Sequence, residues 1–102
     1  MLFAFMLFDR AGAAALRAQT RPAHKAYLGE VAERIAFAGP LLDDDAETML
    51  GSLLVIEFAD REAALAWLAA EPFTRAGVYG RSEVRAFRNL WPQRAGFVDA
   101  AP

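Results

Sequence analysis

The sequence predicts a single α+β domain of the ferredoxin-like type, with strands and helices in the order β-α-β-β-α-β. Three observations carry this. Apolar runs of strand length fall at residues 2–8, 35–42 and 51–58, and residues 82–90 alternate in part through Val84 and Ala86. Two segments of helical periodicity, 20–34 and 61–70, separate the first run from the second and the third from the fourth. At 102 residues the chain has room for one core. This order closes into a four-stranded antiparallel sheet with both helices on one face.

The first run, Leu2 to Phe8, is bounded by Asp9-Arg10 and Gly12, and its length and aromatic content favour a strand. Leu2, Ala4, Met6 and Phe8 share one face, and Phe3, Phe5 and Leu7 the other. Residues 13–19 predict a helical turn or two. Thr20-Arg21-Pro22 then marks a helix start, with Thr20 as cap and Pro22 in the first turn. His24, Leu28, Val31 and Ile35 form the helix's core-facing stripe, and the helix is expected to end near Arg34.

Ile35 to Leu42 predicts a second strand, interrupted by Gly39-Pro40, and residues 43–50 form an acidic loop. In the third strand, Gly51 to Phe58, Leu54, Ile56 and Phe58 oppose Leu53, Val55 and Glu57. Asp60 caps a second helix over 61–70 that buries Ala64, Trp67 and Leu68. Pro72 follows it, Phe73 to Gly77 make a turn or short helix, and Ser82 to Leu90 form the fourth strand, ended by Trp91-Pro92. The domain thus spans residues 1–91. Residues 92–102 form a tail whose Phe97 and Val98 could dock on a partner.

Composition narrows the function. The chain is 56% hydrophobic, with mean hydropathy +0.18 and net charge −2. Without a clustered basic face, nucleic acid is not an expected partner. Cysteine is absent, which removes disulfides, a thiolate nucleophile and a zinc–cysteine site, and is compatible with the cytoplasm. The apolar N-terminal run is too short to span a membrane and lacks the basic flank of a signal peptide. Asp43-Asp44-Asp45-Ala46-Glu47 does not match a calcium loop, so no metal is expected there. An antiparallel sheet usually turns one face to water. Here both faces read as apolar, and a domain this small cannot bury so much alone. The open face is therefore expected to pack against a second copy, as a homodimer or a higher oligomer.

Several segments in sequence carry a family resemblance. They are the strand Leu2–Phe8, Arg21-Pro22-Ala23-His24, Ala38-Gly39-Pro40, Gly51-Ser52, Glu71-Pro72-Phe73 and Ala76-Gly77-Val78-Tyr79. Together, over roughly residues 1–90, they resemble the YciI family. The resemblance implies a dimeric α+β barrel and a site that pairs a histidine with an acidic residue. A related member is a dehydrochlorinase acting on a chlorinated hydroxyquinol. The histidine corresponds to His24. The family's Asp-Pro-Tyr falls on Glu71-Pro72-Phe73, so the carboxylate reaches one methylene further and a phenol is lost.

His24, the only histidine, would serve as general base, with Glu71 orienting it. Arg21, one turn earlier, would hold an anionic substrate group in its planar fork. Gly39 and Pro40 would shape the backbone beside the pocket, with Ser52, Phe73, Gly77 and Tyr79 as further walls. Each also has a plain structural use: a buried histidine bonded to a carbonyl, a solvated helix-end glutamate, a surface arginine, packing aromatics. The expected function is a lyase, dehydrochlorinase or isomerase acting on a small cyclic or phenolic compound without cofactor, haem included. The alternative is a non-catalytic ligand-binding or dimeric scaffold module. Separation of His24 from Glu71 discriminates, because their charges couple strongly only within about 4–6 Å.

Overall fold

β1 (Leu2–Asp9) is the spine of the sheet in this computed structural model, which describes residues 1–91. The expected tail with Phe97 and Val98 lies outside the described residues. β1 pairs antiparallel with β3 (Met49–Glu57) on one side and with β4 (Tyr79–Phe87) on the other; β2 (Ile35–Leu42) adds to the far edge of β3. The strand order is β2-β3-β1-β4, the antiparallel ferredoxin-like arrangement. Among the described residues three α-helices accompany the sheet: α1 (Ala14–Gly29), α2 (Arg61–Ala70) and α3 (Pro72–Ala76).

Strand alternation sorts the side chains. Phe3, Phe5 and Leu7 of β1 and Leu54 and Ile56 of β3 are buried in one core with Ala64, Trp67 and Leu68 of α2. Phe5 meets Phe58 and Trp67 edge-on, with centroids 6.0 and 5.5 Å apart. The opposite face carries Leu2, Ala4, Met6 and Phe8 beside Leu53 and Val55. Phe37 and Phe87, from the two edge strands, meet across it edge-on with centroids 6.4 Å apart, and Ala4 and Val55 between them are buried. Among the described residues no helix is long and apolar enough to cross a membrane.

Several boundaries differ from the sequence expectation. α1 starts at Ala14 and runs unbroken through Pro22; Thr20 is mid-helix, and Ala13 is the uncapped start. Proline inside a helix frees the carbonyl four residues earlier. Pro22 and Ala18 are both exposed, so water can take that bond. The helix stops at Gly29 rather than Arg34, and Ala32–Arg34 form one 3-10 turn. Val31 is still buried, though it enters the core from beyond the helix. Gly39-Pro40 do not interrupt β2, because an edge strand tolerates a residue without an N–H. β3 begins two residues early, at Met49. β4 occupies Tyr79–Phe87 rather than 82–90, entering through a register shift opposite Phe8 and Asp9 that period-2 reading does not register. The acidic loop is a turn organised by Asp45, whose carboxylate accepts from the Glu47 and Thr48 amides and the Thr48 hydroxyl.

Candidate functional site

Arg17, Arg21, His24 and Leu28 recur along α1 at offsets of four, seven and eleven, so one stripe of the helix carries all four. Together with residues of β2, β3 and α3, that stripe lines a cavity of about 140 Å³. Its walls are this stripe with Lys25, Ala38, Gly39 and Pro40 of β2, Met49, Ser52 and Leu54 of β3, and Phe73 of α3. A cavity of roughly 150 Å³ accommodates a benzene ring, so this one, which opens to solvent, has room for at least one six-membered ring.

His24 is 9% exposed and Glu71 is fully buried. Glu71 is the hinge between α2 and α3. Pro72 forces the residue before it into an extended conformation, and Glu71 has φ −68° and ψ 133°. That bend ends α2 and turns the carboxylate inward. Oε1 accepts from the Phe73 amide at 3.2 Å, capping α3, and lies 2.5 Å from His24 Nδ1. If the carboxylate is ionised it can only accept, which puts the proton of that bond on Nδ1 and leaves a neutral ring its lone pair on Nε2. His24 is one of the residues that line the cavity. Phe73 stacks on the imidazole, with centroids 4.0 Å and planes 15° apart, and fixes the ring plane.

Seven residues before His24, Arg17 makes a second buried pair. It is 6% exposed and donates to Asp9 Oδ1 at 2.8 Å, the Gly51 carbonyl at 3.1 Å and Ser52 Oγ at 2.9 Å. Its guanidinium also lies over the Phe73 ring, 4.6 Å from the centroid. Close strand approach makes this possible. A side chain at Gly51 would strike the Leu7 carbonyl oxygen, so glycine there lets β3 close on β1. Burial raises Asp9 above the usual carboxylate range, against the pull of Arg17.

Not every expected site residue reaches the cavity. Arg21 lines its exposed mouth, beside Lys25, rather than its interior. Gly39, Pro40, Ser52 and Phe73 line it. Tyr79 stands behind, its hydroxyl donating to Ser52 Oγ at 3.1 Å and its ring edge-on to Phe73. Gly77 is outside the lining: it is the left-handed cap of α3, φ +82°, and its carbonyl accepts from Arg10 Nε. Sequence reasoning missed Arg17 and its partner Asp9. The available signal was the 17-21-24-28 spacing, hidden by placing the helix start at Thr20. Among the described residues no three His, Cys, Asp or Glu side chains gather as metal ligands do.

Comparison with known proteins agrees with this architecture. The model of the YCII-related domain matches residues 1–88. Protein YciI of Escherichia coli O6:H1 and Protein YciI of Shigella flexneri are each 35% identical over 98 residues, covering 89% of this chain and all of theirs. Among solved structures, 5-chloro-2-hydroxyhydroquinone dehydrochlorinase (TftG) from Burkholderia phenoliruptrix AC1100, in complex with 2,5-dihydroxybenzoquinone, superposes with a TM-score of 0.81 at 30% identity. The match covers 86% of this chain and 94% of that one. The chain belongs to the YciI family.

Proposed function

We propose that the cavity is the active site of a cofactor-independent acid–base enzyme, of lyase, dehydrochlorinase or isomerase type, acting on a small cyclic or phenolic compound. The observation that carries this is the 2.5 Å contact of His24 Nδ1 with Glu71 Oε1 at the wall of a ring-sized cavity. His24 Nε2 takes a proton from a substrate hydroxyl. Glu71, fixed by its cap on α3, holds the ring in place and stabilises the imidazolium that forms. The released electron pair moves into the ring and His24 returns the proton to a ring carbon, which completes an isomerisation; in an elimination that carbon bears the leaving group, which then departs with its bonding pair as a second, conjugated hydroxyl gives up its proton and becomes a carbonyl. The likeness to a dehydrochlorinase at 30% identity supports this chemical class. The cations at the mouth, Arg21 and Lys25, attract an anionic substrate. The lost phenol of the family motif leaves Phe73 as a stacking surface and not a hydrogen-bond donor.

The test is chloride release from 5-chloro-2-hydroxyhydroquinone and a panel of halogenated and unhalogenated phenols, read for wild type and His24→Ala. Turnover of at least one compound that fails in a folded His24→Ala protein is the expected result. Equal turnover in both removes the proposal. We further propose that a second copy covers the apolar face between Phe37 and Phe87, forming a homodimer in the cytoplasm. Sedimentation of wild type and Met6→Glu is expected to show a dimer that the substitution splits.

A further inference from the structure

Ser52 is 1% exposed and lines the cavity, yet both acceptor positions of its hydroxyl are occupied. Arg17 NH2 donates to Oγ at 2.9 Å, and arginine can only donate. Tyr79 donates to the same oxygen at 3.1 Å. Burial pushes the Tyr79 phenol upward, so it keeps its proton and has one to donate across that contact. A serine hydroxyl has two lone pairs and one proton. With both lone pairs taken, the proton is what remains to be given. No acceptor for it appears among the described residues.

The charges around the cavity are equally one-sided. Arg17, Arg21 and Lys25 line it, and among the described residues no carboxylate does. Asp9 and Glu71 stand behind Arg17 and His24, each engaged by its partner. We propose that Ser52 is the residue that reads the ligand's oxyanion: its hydroxyl donates to a phenolate or enolate oxygen, while the buried Arg17 behind it fixes the hydroxyl and supplies positive charge. This moves anion recognition from the exposed Arg21 to a buried wall, and it rests on the reading of the cavity as an active site. Tyr79 acts through Ser52 and is a positioning residue.

The experiment compares binding of 4-nitrophenolate, at a pH where it is ionised, with binding of 4-nitroanisole, the same ring without the charge. Both are titrated against wild type, Ser52→Ala, Ser52→Cys, Tyr79→Phe and His24→Ala, each first checked for the native fold. Wild type is expected to prefer the phenolate. Ser52→Ala is expected to lose about tenfold or more in phenolate affinity, because a hydrogen bond to a charged group is lost, with anisole affinity unchanged. Ser52→Cys keeps the shape but donates weakly and should fall between. Tyr79→Phe should lose a few-fold on the phenolate alone. Wild-type affinity for the phenolate in both Ser52→Ala and Ser52→Cys overturns the proposal. In that case, weakened binding in His24→Ala would still leave the acid–base reading standing. Binding of neither probe by wild type overturns both.

Discussion

The two buried pairs on α1 invite comparison. Arg17 with Asp9 and His24 with Glu71 sit seven residues apart on one helix stripe, each cation-forming side chain meeting a carboxylate from another element. Both touch Phe73. They differ in what the proton can do. Arginine stays charged, so the Arg17 pair can only hold geometry and field. An imidazole can hold or give up a proton, so on the proposed reading the same architecture with a histidine serves as a proton carrier. On that reading one wall of the cavity is fixed in charge, and the other is able to change.

The largest effect that sharpens this contrast is His24→Ala, expected to lower turnover by about 10²–10⁴-fold with thermal stability changed far less. Arg17→Met should reverse the balance. Arg17 is buried and Asp9 partly so, and removing the guanidinium leaves its acceptors unpaired at about 1–3 kcal/mol, so its loss appears first in the melting temperature. pH separates it further. Asp9 already binds its proton more tightly folded than unfolded, and without Arg17 it does so more strongly. Its stabilising contribution is full below about 3.8 and fades as pH rises through the raised value. The stability deficit of Arg17→Met should therefore shrink when melting is measured near pH 4.5 instead of 7.5. A deficit that grows on acidification would contradict the assignment.

Glu71→Gln keeps the size and the cap on α3 but replaces a charged acceptor. It is expected to cost about 10–100-fold in turnover with modest loss of stability. Equal activity would reduce Glu71 to a structural cap. Asp60→Ala, away from both pairs, should cost about 1 kcal/mol through the lost bond to the Ala63 amide and leave turnover intact. The exposed Arg85–Glu83 pair is the smallest case: removing it should shift stability by no more than a few tenths of a kcal/mol.

The contrast also marks how far the sequence could be read. The bounds of α2 and its Asp60 cap follow from local chemistry alone, and the structure has both. The two-faced apolar pattern of β1 and β3 is equally local. His24 and Glu71 were legible through the family resemblance, since nothing in 47 residues of separation indicates that they meet. Arg17 was not legible, because arginine is ordinarily exposed. Its partners Asp9, Gly51 and Ser52 converge only when β1 pairs with β3 and α1 crosses them. Pro22 concealed it further: a residue that commonly opens a helix here lies in the middle of one.

One histidine in the chain makes the central claim directly measurable. Imidazole ¹⁵N chemical shifts, recorded at a pH where the ring is neutral, report which nitrogen carries the proton. The account predicts the Nδ1–H form, held by Glu71, with Nε2 unprotonated and its resonance shifting when a phenol enters the cavity. A neutral ring protonated at Nε2, or an Nε2 signal indifferent to every such ligand, would contradict it.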